Sequence, residues 1–288
     1  VSPFKDGRVF FCNSGSEAND TMIKMLWMFN LRKGNPKKRK IISRINGYHG
    51  VTLGASSMTA KPYNSVFGFP LNDFISADCP HYWKYSIENE TEDEFSLRMA
   101  SNLEELILNE DPDTIAGFVA EPVQGAGGVI PPSKNYFNLI QPILKKYNIP
   151  FIADEVICGF GRTGNLWGSE TYNIDPDIII ASKCITAGFF PMGAIIITKE
   201  FAEEFVSISE NEEEFPHGFT AGGHPVGCAI ALKAIDVIIN EGLLDNVRYV
   251  SPYFHERLNE FNSYEHIGET RGIGLMAALE MVKNKHTK

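Results

Sequence analysis

A layered α/β fold built around a largely parallel β-sheet is predicted by three observations. Short runs of β-branched and aromatic residues alternate with longer stretches of helical period along the chain. Two of the runs, Ile178–Ala181 and residues 194–197, are apolar throughout, as strands covered on both faces should be. The chain has 288 residues, 43% of them hydrophobic, enough to bury a large core.

In chain order, residues 9–11 read as a strand ahead of a helix over 17–31, and residues 40–43 as a second strand. A helix over 97–109 leads to the strand Ile115–Ala120, and the helix Tyr136–Lys146 leads to a strand over 150–153. Pro225–Asn240 reads as a long helix. The acidic stretches 88–94 and 210–214 read as surface loops. A new unit is expected from about Gly242, which divides the chain into a large domain, 1–241, and the truncated beginning of a smaller one, 242–288. In sheets of this kind ligands sit beyond the carboxyl ends of the strands.

The formal charge of −10 argues against nucleic acid as a partner, because phosphate binding needs a surplus of Lys and Arg on one face. The basic run Lys37-Lys38-Arg39-Lys40 beside Pro36 reads as a solvated turn. No apolar stretch approaches the ~20 residues that span a bilayer, and the start, Val1-Ser2-Pro3-Phe4, has neither initiator Met nor a signal-peptide pattern. The five cysteines are odd in number, scattered and without a CxxC pair. Free thiols in a reducing compartment, the cytoplasm, are expected, and no spacing suggests a metal site.

Three segments carry candidate chemistry. Asn13-Ser14-Gly15-Ser16-Glu17 lies between a strand and a helix. It reads either as a capping box on Ser14 and Glu17, or as a phosphate cradle in which Gly15 admits the backbone and Ser16 offers a hydroxyl at a helix start. Asp154 ends an apolar strand, where a carboxylate is costly to bury without a cation or several hydrogen bonds; a loop tether is the plainer reading. Lys183 ends another apolar strand among small residues. Most strand-end lysines lie at the surface, but one held among apolar groups suits Schiff-base chemistry. Taken together, a phosphate cradle, a buried acid and a strand-end lysine point to a pyridoxal cofactor. The literal G-x-G-x-x-G at Gly159, Gly161 and Gly164 suggests a nucleotide-binding oxidoreductase instead, yet these glycines open no helical pattern and no acidic residue follows at the required place.

The strings Asn13-Ser14-Gly15-Ser16-Glu17-Ala18, Tyr48-His49-Gly50, Glu121-Pro122-Val123-Gln124-Gly125, Asp154-Glu155-Val156, Lys183 with Pro191-Met192-Gly193-Ala194, and Arg271-Gly272-Ile273-Gly274 occur in the order seen in class III aminotransferases. Over nearly its whole length the sequence resembles that family. The resemblance implies a fold-type I large domain, a mostly parallel sheet flanked by helices, with the start of a small C-terminal α+β domain. It also implies that the family's N-terminal segment is missing here. Pyridoxal 5'-phosphate would be the cofactor. Gly15 and Ser16 would hold its phosphate, Tyr48 would lie against the ring face and border the substrate, and His49 and Gly50 would shape that turn. Asp154 would keep the ring nitrogen protonated, Val156 would pack on the opposite face, and Lys183 would carry the cofactor as a Schiff base. Thr220 would reach the phosphate bound by a neighbouring subunit, implying a homodimer with shared active sites and possibly a tetramer. Arg271 would clamp the substrate carboxylate.

Ala126 stands where many glutamate-using members of the family carry a glutamate, and Ile157 where the ornithine and 4-aminobutyrate branches carry a glutamine. Both changes resemble the ω-amino acid or amine:pyruvate transaminases. The expected reaction moves an amino group from a primary amine or ω-amino acid to a keto acid, pyruvate foremost. Diaminopelargonate aminotransferase and aminomutase chemistry on the same fold are the alternatives.

Overall fold

The computed structural model describes residues 2–209 and 215–285; the acidic stretch 210–214 lies outside them. Seven strands form one sheet: β1 (Arg8–Cys12), β2 (Lys40–Arg44), β3 (Phe74–Ala77), β4 (Ile115–Ala120), β5 (Phe151–Asp154), β6 (Ile178–Ala181) and β7 (Gly193–Ile197). Their spatial order is β1-β7-β6-β5-β4-β2-β3. Strand β7 runs antiparallel to both its neighbours, and every other pairing is parallel. The predicted sheet is therefore present, with one reversed strand. Gly193 allows that strand to close on β1, since a Cβ there would lie 2.4 Å from the Ser14 carbonyl.

The helices are α1 (Gly15–Arg32), α2 (Leu53–Met58), α3 (Tyr82–Tyr85), α4 (Glu92–Asn109), α5 (Tyr136–Lys146), α6 (Gly168–Thr171), α7 (Lys199–Ser209), α8 (Pro225–Asn240) and α9 (Leu243–Asn259). Period-two alternation in the central strands sorts the core into two layers. Phe118, Ala120 and Phe151 face one side with Phe95 and Leu103 of α4 and Phe137 of α5. Val119, Ile152, Ile178 and Ile180 face the other with Met22 and Leu26 of α1. Full burial of each such side chain contributes about 1.5–3 kcal/mol, so helices on both faces are what keep so apolar a sheet out of water.

One expectation needs correction. Residues 92–94 are not loop but the first turn of α4. Thr91 Oγ1 accepts from the Glu94 N–H, and the Glu94 carboxylate accepts from the Thr91 N–H at 2.9 Å. This capping box, with three acidic residues favoured by the helix dipole, starts the helix five residues earlier than its apolar period suggests. After Gly242, α9 leads into a separate two-stranded sheet of β8 (Ile267–Ile273) and β9 (Met276–Met281). None of the described helices is long and apolar enough to cross a membrane.

Candidate active site

The carboxyl ends of β1, β2, β4, β5 and β6 share one edge of the sheet, because these strands point the same way. A cavity of about 240 Å³ opens there, lined by the segments that leave those strand ends. Volume alone does not choose it: grooves of about 690 Å³ beside α5 and 370 Å³ beside Trp27 are larger. What distinguishes the cavity is a helix start, a buried carboxylate and a conformationally constrained lysine facing one space.

The segment after β1 turns directly into α1. Ser14 caps the helix, accepting from the Glu17 N–H at 3.2 Å, while the Glu17 carboxylate accepts from the Asn13 N–H at 2.7 Å. Capping and cradle are thus compatible, since the first N–H groups of the helix still lack intrahelical partners. The turn after β2 closes onto this helix start. Ser16 Oγ accepts from the Val51 N–H at 3.1 Å, and Gly50 has φ +130°. A Cβ at Gly50 would stand 2.4 Å from Ser16 Oγ, so only glycine fits.

Asp154, at the end of β5, is 2% exposed. Its Oδ2 accepts from His49 Nδ1 at 2.7 Å and Asn19 Nδ2 at 3.1 Å, and its Oδ1 from the Val156 N–H at 3.1 Å. A carboxylate offers about four acceptor positions, so these donors leave one for a further partner. Val156 packs against Gly15, whose Cβ would touch its methyls at 3.0 and 3.2 Å. Glu121, just past β4, is 3% exposed and accepts from the Tyr48 N–H at 3.0 Å and the Gly125 N–H at 2.8 Å. Burial pushes its carboxyl above the usual range, with His49 pulling the other way.

Lys183 follows β6 with φ +47°, a left-handed conformation that a lysine adopts at a cost. The preceding Ser182 is pinned by its Oγ donating to the Met192 carbonyl at 2.7 Å. Backbone strain of this kind collects at functional sites, where the surrounding structure fixes it.

Eight of the ten residues expected to bind cofactor or substrate line this cavity: Gly15, Ser16, Tyr48, His49, Gly50, Asp154, Val156 and Lys183. Two do not. Thr220 is exposed in the turn before α8. Arg271, on β8, is only 9% exposed in its side chain and is engaged by Glu269, Glu280 and the carbonyls of Gly128 and Val129. Arg271 is not among the residues that line the cavity, and its guanidinium is bonded to those partners instead.

The model of the family described as aminotransferase class-III matches residues 1–288. The chain belongs to the class III aminotransferase family. It is 49% identical over 282 residues to gamma aminobutyrate transaminase 1, mitochondrial, of Solanum lycopersicum, an alignment covering 98% of this chain and 55% of that protein. The PMP-bound form of an aminotransferase from Vibrio fluvialis superposes with a TM-score of 0.98 at 63% identity, covering 100% of this chain and 64% of that one. An omega-aminotransferase from Paracoccus denitrificans gives the same TM-score, identity and coverage. The chain therefore spans about half the length of the curated relatives it matches. Its seven-stranded sheet is that of the fold-type I aminotransferases.

In this class III chain, the sequence reading quoted Glu121 within a motif but gave neither it nor Asn19 a role. Asn19 is fully buried, and its Nδ2 reaches the carbonyls of Gly15 and His49 as well as Asp154. Its place one helical turn after Gly15 was the available signal. Glu121 closes an apolar strand just as Asp154 does. The Gly159–Gly164 loop turns without opening a helix, and a short connection separates it from α6.

Glu155, also fully buried, accepts from the N–H groups of Gly168 and Ser169 and from the Ser169 hydroxyl. Burial outweighs these donors and pushes its carboxyl from 4.5 up to about 7. The folded state then binds more protons than the unfolded one between those values, so stability falls as pH rises through that window. Relative to Glu155→Gln, the parent is expected to lose up to about 3 kcal/mol between pH 4.5 and pH 7 in denaturant titrations. Parallel stability curves for parent and variant would contradict this assignment.

Proposed function

We propose that this protein is a pyridoxal 5'-phosphate-dependent transaminase that moves an amino group from a primary amine or ω-amino acid to a keto acid. The reading is carried by one observation: a helix start, a buried carboxylate with an acceptor position to spare, and Lys183 border a single cavity. Those groups fit the phosphate, the protonated ring nitrogen and the aldehyde carbon of that cofactor in turn. When bound, it acts as an electron sink for the substrate carbon beside the nitrogen.

The roles follow from the chemistry of each side chain. Gly15 and Ser16 bind the phosphate with the N–H groups and dipole of α1. Tyr48 and Val156, which both line the cavity, would border the ring. Asp154 holds a proton on the ring nitrogen, and His49 and Asn19 orient its carboxylate. Lys183 Nζ would tether the cofactor, and as a free amine it would be the group placed to take up and return the substrate proton.

Assembly belongs to the same proposal. Pro225–Asn240 has an apolar sequence, yet Leu232 and Ile239, seven residues apart on one face, are 70% and 48% exposed. Such a helix face favours a homodimer, possibly paired again as a tetramer, in which Thr220 of one copy completes the phosphate site of the other. Residues 1–241 would be the cofactor-binding domain, and 242–288 the start of a smaller one, consistent with the separate β8–β9 sheet. The five free cysteines favour the cytoplasm.

Among the described residues lining the cavity, Lys183 is the one Lys or Arg. A five-carbon diacid such as 2-oxoglutarate would bring two carboxylates into this cavity where pyruvate brings one, and each carboxylate buried without a cation costs several kcal/mol. Assayed with a panel of amines and ω-amino acids, the protein should prefer pyruvate at least tenfold, about 1.4 kcal/mol. Efficient turnover with 2-oxoglutarate would move it to another branch of the family, and product formed only from a diaminopelargonate precursor or by intramolecular transfer would replace the substrate class.

A further inference from the structure

The C-terminal hairpin reaches the cavity wall through Arg271. Glu269 of β8 is paired in register with Glu280 of β9, and Arg271 lies on the same face of β8, two residues on. Two carboxylates facing each other across a strand pair repel. Arg271 relieves this with ion pairs of 2.8 Å to Glu269 and 2.7 Å to Glu280, and His81 Nε2 meets Glu269 at 2.8 Å. Its Nε and Nη2 also reach the loop that follows Glu121. Nε lies 3.0 Å from the Gly128 carbonyl and 3.1 Å from that of Val129, and Nη2 is 2.6 Å from Gly128 O.

That loop is strained where the guanidinium holds it. Gly128 has φ +125° and Val129 φ +47°, the latter a β-branched residue in the left-handed region. A backbone bridge between Gln124 and Ile130 closes the loop, and a Cβ at Gly127 would come within 2.5 Å of the Asn46 carbonyl. The loop is also tied to the cavity wall: the Gly125 N–H donates to Glu121, whose other oxygen accepts from the Tyr48 N–H.

We infer that Arg271 is a positioning residue that fixes the strained loop 125–129, and through it Glu121 and Tyr48, and is not the receptor for the substrate carboxylate. Acting as a clamp, it would leave Glu269 and Glu280 facing each other and abandon its bonds to two carbonyls. The catalytic part of this inference rests on the transaminase reading above; the positioning part does not.

The test compares Arg271→Lys and Arg271→Ala with the parent. Lysine keeps a charge between the glutamates but lacks the planar fork that reaches both carbonyls. Backbone amide exchange over residues 124–130 should rise at least about tenfold in each folded variant, with that of β5 unchanged. Measured singly, the half-reaction with a carboxylate-free amine and the one with pyruvate should slow by the same factor. Unchanged exchange, with a loss confined to the pyruvate half-reaction, would overturn the inference and restore the clamp. A parent without transaminase activity would remove the functional reading while amide exchange still decides the positioning claim. If the alanine variant does not fold, the lysine variant decides.

Discussion

Lys183→Ala is expected to lower amino transfer by at least about 10³-fold, because it removes both the tethering amine and the proton carrier. Affinity for the cofactor should fall but not vanish, since the α1 start and Ser16 keep their hold on the phosphate. Fold and stability should change little. Lys183 is exposed in the structure, and the φ of +47° that strains lysine strains alanine similarly. Turnover, cofactor affinity and thermal midpoint measured on one preparation separate these effects. Near-normal turnover would remove Lys183 from the chemistry.

Asp154→Asn is expected to cost about 10²-fold or more in rate, roughly 3 kcal/mol of barrier. An amide has no charge to hold a proton on the ring nitrogen. It also fits its surroundings poorly: His49, Asn19 and the Val156 N–H converge on the carboxylate as donors, and one amide oxygen cannot accept from all of them. Some loss of stability in the cofactor-free protein should therefore accompany the loss of rate. A variant that is destabilised but turns over normally would make Asp154 a structural carboxylate and nothing more.

The readability of this chain followed the range of the forces involved. Strands such as Ile178–Ala181 were legible because burial on both faces leaves an uninterrupted apolar run. The start of α4 was hidden, because an acidic first turn looks like a solvated loop until Thr91 and Glu94 are seen to cap each other. Leu243–Asn259 was missed for a different reason: Leu243, Val247, Val250, Phe254 and Leu258 do fall at helical spacing, but Pro252 interrupts the run and reads as a break. At the site, motif strings identified the residues that line the cavity, but not the bonds between them. His49 and Asp154 are 105 residues apart and Arg271 and Gly128 are 143 apart, and nothing local encodes either contact. Arg271 is the instructive case. Its motif placed it in the family pattern, and only its partners revealed that its donors are already committed.

The central claim, that the cavity holds its cofactor on Lys183, is tested most directly by trapping that bond. Borohydride reduction of the protein with pyridoxal 5'-phosphate, followed by peptide mapping, should place the label on Lys183 and nowhere else in significant yield. Label on another lysine, or none at all under conditions where the cofactor binds, would contradict the account.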